Sequence, residues 1–221
     1  MSRTQKILVI RFSSIGDIVL TTPVIRALHQ QAGAEVHLLT KQSFAGVTGA
    51  NPYISKVWAI QKKVGEVLPA LRKERYTAIV DLHNNLRSRQ VSLALWQTPC
   101  YRFDKLNFQK WLLTRWKINR MPDIHIVQRY LAAAQPLGIS DDGMGLDHFI
   151  PLADQVNLAA AGLPKQYVAV VIGAAHATKR LPMELLVKLC QAISVPVLLM
   201  GGPDDQATAE AIAMRAGSHV V

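Results

Sequence analysis

Hydrophobic residues along this chain keep two alternating rhythms. Lys6–Arg11 (KILVIR) is an unbroken apolar, largely β-branched run of strand length. A small polar turn, Ser13–Gly16, follows it. From Asp17 the apolar and small positions recur as Ile18, Thr21, Thr22, Ile25 and Leu28, the spacing of one helix face. The pattern then repeats. Strands are predicted at Glu35–Thr40, Lys56–Gln61 and Ala78–Leu82, and helices at Ser43–Thr48, Gly65–Arg75 and Leu86–Leu95, with a turn at Asn51-Pro52. Strands alternating with helices imply βαβ units and a mainly parallel, doubly wound sheet.

Residues 101–118 break that rhythm. Asn107 is placed to cap a helix with Phe108, Trp111, Leu112 and Trp116 along one side and Lys110, Arg115 and Lys117 flanking it. Two readings fit: a helix packed on the sheet edge, or a basic aromatic element touching membrane headgroups or an amphipathic acceptor. A further helix spans Ile124–Leu137, and residues 139–164, rich in Asp, Gly and Pro, read as a crossover. The opening pattern then returns, with a buried strand at Tyr167–Ile172, a loop at Gly173–Leu181 and a helix from Pro182 to about Ala192. Val195–Met200 is the next strand, Gly201–Asp205 leads into a helix to about Ala216, and Ser218–Val221 begins another strand. The expected organisation is an α/β Rossmann-like domain over 1–150 and an incomplete second Rossmann-like domain over 164–221.

At 221 residues the chain is about one and a half domains long, and its hydrophobic content of 50% supports a sizeable core. No apolar run approaches the roughly 18 residues of a membrane span, and the N-terminus does not read as a secretion signal. Two distant cysteines, Cys100 in a loop and Cys190 in a helix, make no disulfide framework, and the histidines form no metal-binding pair. These features read as a soluble, cytoplasmic protein with no metal site. Charge is distributed unevenly. Residues 1–120 hold nineteen Lys and Arg against six Asp and Glu, a net +13, whereas residues 121–221 hold six against nine, a net −3. The basic half is either a solvated surface or the face for an anionic partner, for which nucleic acid, anionic lipid and phosphorylated saccharide all qualify.

The first strand-to-helix loop matches neither GxGxxG nor the phosphate-loop pattern. Its chemistry rests on Asp17, either an ordinary acidic first-turn residue or a general base kept ionised by the helix dipole, and on the Ser13, Ser14 and Gly16 backbone as anion donors. In the second half, Thr178-Lys179-Arg180 precedes a helix start. It is either a plain basic loop or a diphosphate site, Lys acting as a point charge and Arg as a fork beside free N–H groups. His176 reads as a loop residue. Asp81, His83, Asn84, Asn85 and Arg87 follow a strand and should line the same cleft as Asp17.

RFSSIGDIVLTTPVIRAL at 11–28, DLHNNLRS at 81–88, HIVQRYL at 125–131, HATKRLP at 176–182 and GGPDD at 201–205 together resemble the heptosyltransferases of lipopolysaccharide core synthesis, glycosyltransferase family 9. The opening and HATKRLP are the specific parts. The resemblance implies a GT-B fold of two Rossmann-like domains facing across a cleft. It also implies transfer of a sugar from a nucleotide donor, typically ADP-heptose, with inversion, without a metal ion and with no cofactor. On that reading Asp17 is the catalytic base, Thr178 and Lys179 contact the donor diphosphate, and Asp205 lies near the donor nucleoside; Arg180, Ser13, Ser14 and Gly16 join the donor side on physical grounds. Basic residues of the first domain would hold an anionic Kdo- or phosphate-bearing lipid A acceptor, with Asn84, Asn85, Arg87 and Arg115 as contacts, and the protein would touch the inner face of the membrane. The family's later donor signature, DTG-x-x-H, lies beyond the last residue, so a shortened gene product or fragment with weak or no transferase activity is expected. Three rival readings are a nicotinamide-dependent Rossmann enzyme, a nucleic-acid-binding module, and a family member that binds anionic glycolipid without turnover. The missing GxGxxG counts against the first. Only residues 101–118 offer the second a surface, and no nucleic acid partner is expected.

Overall fold

The computed structural model describes residues 5–174 and 176–221, which divide into two compact units, the first reaching Asp154 and the second running from Gln155 to Val221. The first unit is built on β1 (Lys6–Ile10), whose apolar run is buried on both faces. After it come α1 (Ile15–Val19), α2 (Thr22–Gln30), β2 (Glu35–Lys41) and β3 (Lys56–Ile60). Then follow α3 (Leu68–Lys73), β4 (Ala78–Asp81), α4 (Leu86–Ala94), β5 (Cys100–Arg102), α5 (Asn107–Trp116) and α6 (Ile126–Ala134). All five strands are parallel, in the order β3-β2-β1-β4-β5. Ile7, Val9 and Val80 meet Ile25 and Leu28 of α2 and Tyr130 and Leu131 of α6 on one face. Leu8, Ile10 and Ile79 meet Leu71 of α3 and Val91 of α4 on the other. This is the doubly wound arrangement that the alternation of elements predicts.

Three local expectations fail for identifiable reasons. The single helix expected from Asp17 breaks into α1 and α2, because Pro23 has no N–H to continue the ladder. The Thr21 and Thr22 hydroxyls take the carbonyls of Ile18 and Val19 at 2.6 and 2.8 Å instead. Cys100 lies in a strand rather than a loop, since the short β5 pairs with Ile79–Asp81. Asn107 is the first helical residue and not the cap; Asp104 turns the chain instead, its Oδ1 accepting the Leu106 N–H at 2.9 Å.

A polar network closes the amino end of the sheet. Trp58 Nε1 donates to the Tyr76 hydroxyl at 2.8 Å, which donates to Nδ1 of buried His37 at 2.8 Å, and His37 Nε2 donates to Glu35 at 2.9 Å. That chain of donors requires a neutral imidazole, and burial lowers the His37 pKa accordingly despite the Glu35 carboxylate. Beside it, hydrogen bonds from Lys56 and Lys6 pull the Glu74 pKa from 4.5 down to about 2. Folded Glu74 thus binds its proton more weakly than the unfolded chain does, so its stabilising contribution is whole above pH 4.5 and is lost as pH falls to about 2. In urea titrations across pH, the stability gap between the parent and Glu74→Gln should be constant above that window and close within it. A gap independent of pH would contradict this.

In the second unit β6 (Val168–Val171) and β7 (Val197–Met200) pair in parallel, and Val220 bridges to Val197. The helices α7 (Met183–Ala192) and α8 (Gln206–Ala216) supply Leu186, Val187, Cys190 and Ile212 to a core with Val170, Ile172 and Val197. The strand at 167–172, expected to be buried throughout, is covered on one face only. Val170 and Ile172 point into that core while Val171 is 69% exposed.

Candidate functional site

β2 and β3 lie on one side of β1, and β4 and β5 on the other, so the winding reverses between β1 and β4. In open α/β sheets ligands bind outside the carboxyl ends of the strands at such a reversal. Asp17 belongs to the loop and short helix leaving β1 there. Its Oδ2 receives the Ser14 N–H at 3.1 Å, the Ser14 hydroxyl at 3.0 Å and an Arg11 guanidinium nitrogen at 2.7 Å. Oδ1 accepts no hydrogen bond among the described residues, and the side chain keeps 37% of its exposure. Partial burial pushes the carboxyl pKa up, but Ser14 and Arg11 together outweigh it, so the group titrates below the ordinary carboxylate value. The expected source of this ionisation was a helix dipole. With α1 only one turn long, Arg11 and Ser14 supply it instead.

Arg11 was not singled out in the sequence, yet it organises the site. Its Nε donates to the Ser13 carbonyl at 2.8 Å, and one terminal nitrogen donates to the Leu82 carbonyl at 2.6 Å and the Tyr130 hydroxyl at 2.9 Å. The other terminal nitrogen holds Asp17. The Ser14 N–H, expected to face a ligand, is thereby taken by Asp17, while Gly16 is exposed.

The residues after β4 divide into structural and accessible groups. Asp81 does not line the cleft: it is fully buried, and its Oδ1 accepts the N–H groups of His83 and Asn84 at 3.1 and 2.7 Å. His83 packs edge-on to Phe12, and burial, with Arg11 and Lys105 nearby, lowers its pKa to about 4, leaving it neutral. Asn84 takes a left-handed backbone (φ 44°) and donates to the Phe103 carbonyl at 3.0 Å. Asn85 caps α4, accepting the Ser88 N–H at 2.9 Å. Both asparagines thus shape the loop. Arg87 is exposed and lines a hollow of about 570 Å³ with Lys62, Lys63, Gly65 and Gln90. The two lysines went unremarked in the sequence, though a basic pair at the carboxyl end of a strand was the available signal. Arg115 stands exposed on α5.

In the second unit Thr178 and Lys179 occupy a single 3-10 turn, Ala177–Lys179, and α7 begins only at Met183 after Pro182. The basic residues are therefore a few positions outside the helix start to which the sequence assigned them. Thr178, Lys179 and Arg180 are all exposed, and Arg180 Nε is tied across the loop to the Ala174 carbonyl at 2.7 Å. Among the described residues Lys179 makes no ion pair. Asp205 accepts the Gly202 N–H at 3.0 Å and lies over the carboxyl ends of both strands. A Cβ at Gly173 would fall 2.1 Å from Asp205 Oδ2, and one at Gly201 would fall 2.8 Å from the Asp205 Cβ, so a side chain at either place would push Asp205 out of its present position. Gly173 also opens the loop that carries Thr178–Arg180, which puts the loop and the Asp205 carboxylate at one end of this unit. Among the described residues no three His, Cys, Asp or Glu side chains cluster as metal ligands would, and no helix is long and apolar enough to cross a membrane.

Against known proteins, the sequence profile of glycosyltransferase family 9 (heptosyltransferase) matches residues 64–220. Lipopolysaccharide heptosyltransferase 1 of Campylobacter coli is 24% identical over 211 residues, covering 86% of this chain and 60% of that protein. The chain thus spans less than two thirds of this curated relative. Among solved structures, the glycosyl transferase family 9 protein of Veillonella parvula superposes with a TM-score of 0.75 at 21% identity, over 96% of this chain and 66% of the other. E. coli heptosyltransferase WaaC with ADP gives 0.69 at 19% identity, over 98% and 73%. At these identities the likeness is one of fold, an α/β architecture of Rossmann-like units as in the GT-B heptosyltransferases.

Proposed function

The chain belongs to glycosyltransferase family 9, the heptosyltransferases, and from that premise we propose that it moves heptose from ADP-heptose to the Kdo/lipid A inner core of lipopolysaccharide, with inversion. The observation that carries this reading is the Asp17 carboxylate, kept ionised and fixed through one oxygen while the other stays available. Asp17 Oδ1 takes the proton of an acceptor hydroxyl as that oxygen attacks the anomeric carbon. The bond to the ADP oxygen breaks on the opposite face of the sugar, and the electron pair leaves with the diphosphate. Lys179 and Arg180, with Thr178, bear on that leaving group, whose growing negative charge they stabilise. Asp205 is assigned to the nucleoside side of the donor, and the exposed Gly16 backbone to its phosphate side, the Ser14 N–H being held by Asp17.

Residues 1–150 are the acceptor side and 164–221 the donor side in this proposal. The hollow lined by Lys62, Lys63 and Arg87 suits the anionic groups of the acceptor, with Arg115 as an outer contact and Asn84 and Asn85 shaping the loop between them. Such an acceptor is carried in a bilayer, so the protein would work at the inner face of the membrane. Calorimetric titration with ADP tests the donor half of the assignment. Lys179→Ala should weaken binding about tenfold, the loss of one charge-assisted contact on an exposed loop. Equal affinity in parent and variant would remove Lys179 from the site.

A further inference from the structure

No side chain of the helix α5 is fully buried, and only Gln109 and Leu112 are half-covered by the fold. Ten residues long, it is shorter than the roughly 12–15 at which isolated helices become even marginally stable in water, and it has little of the packing that normally holds so short a helix. What it shows to solvent is uniform in character. Phe108 is 63% exposed, Trp111 51% and Trp116 61%, and Phe108 and Trp111 stack with their ring centroids 6.1 Å apart. At 100° per residue Phe108, Trp111, Leu112 and Trp116 fall along one arc, with Arg115 inside it and Lys110 and Lys117 on the opposite side. From Lys105 to Pro122 the sequence has five Lys and Arg and no Asp or Glu.

We propose that α5 is a docking element for the surface of a bilayer containing anionic phospholipid. Aromatic rings with an amphipathic preference for the headgroup level, on a helix with a cation among them, two more on its other side and no acids, are what such an interface selects. The charge also argues against a second copy as occupant, because a symmetric pairing would bring five cations of one chain against five of the other. α5 follows β5, which lies parallel to β4, so it springs from the same end of the sheet as Asp17. A lipid-borne acceptor would therefore be held on the side of the catalytic carboxylate. That last point rests on the transferase reading, whereas the docking itself does not.

Co-sedimentation of the chain with phosphatidylcholine vesicles, with and without about one third phosphatidylglycerol, tests the proposal. The chain should sediment with the anionic vesicles and stay in solution with the neutral ones, and its tryptophan emission should shift to the blue on binding. The triple variant Lys110→Gln, Arg115→Gln, Lys117→Gln should partition onto anionic vesicles about a hundredfold more weakly, and Trp111→Ser with Trp116→Ser about tenfold. Since the substituted side chains are all exposed, both variants should keep the circular dichroism of the parent. The proposal is overturned if the parent ignores anionic vesicles, if both variants bind as the parent does, or if the chain instead forms a dimer that the tryptophan variant dissociates. Sugar transfer does not enter these measurements, so loss of the transferase assignment and loss of the docking surface are read separately.

Discussion

Asp17→Asn should slow sugar transfer by about 10²–10⁴-fold, the usual contribution of a positioned general base, while leaving ADP affinity unchanged. The amide is close in shape to the carboxylate, and its carbonyl can still accept from Arg11 and Ser14. It cannot take a proton from an attacking hydroxyl. Single-turnover release of ADP in the presence of acceptor measures the effect, with the parent's own rate as the reference. A decrease of less than about threefold would remove Asp17 from proton transfer.

Arg26→Met should lower the unfolding free energy of the first unit by about 2–4 kcal/mol, a fall in its melting temperature of roughly 4–16 °C. Arg26 is 1% exposed on α2, at the edge of the apolar stripe. Two of its guanidinium nitrogens meet the Asp142 carboxylate at 2.7 Å each, a third pairs with Asp147, and a further bond reaches the Gly145 carbonyl at 2.9 Å. Hydrogen bonding to Asp142 and Asp147 raises the Arg26 pKa against the opposing effect of burial, and Asp142 is lowered to about 2. Methionine fits the buried stem but leaves two carboxylates without their cation. Asp142 and Asp147 retain 19% and 17% exposure and can turn toward water, which puts the estimate below that for a fully buried pair. Differential scanning calorimetry decides it, and a loss under about 0.5 kcal/mol would mean that the cluster is already solvated.

How much of this could be read from the residues alone depends on how local the cause is. The runs at 6–11, 35–40 and 78–82 announce themselves because a parallel strand covered on both faces has to be apolar throughout. The break between α1 and α2 lies in the same stretch as a perfect helical period, and only Pro23 and the preceding threonines give it away. β5 is three residues long and owes its existence to β4 beside it, which no pattern within residues 100–102 can report. Asp17 is legible as a candidate from its place after a strand. Arg11 and Arg26 are not, because an arginine inside an apolar period reads as an interruption until partners 71 to 121 residues away come into contact with it. In the second unit the sequence places Thr178–Arg180 in a loop between a strand and a helix, where the structure also has it. The tight approach of Asp205 to Gly173 and Gly201 is a tertiary fact that two glycines only hint at.

The central position of β1 bears on how the protein is made. Ile10 pairs with Leu39 on one side and Asp81 on the other. A ribosome delivering about 5–20 residues per second releases the first strand roughly 4–14 s before its second neighbour exists. Through that interval KILVI has an unsatisfied hydrogen-bonding edge and two greasy faces, the kind of segment that captures other nascent chains. Holdase chaperones should therefore grip the first eighty or so residues on the translating ribosome and let go once β4 has emerged.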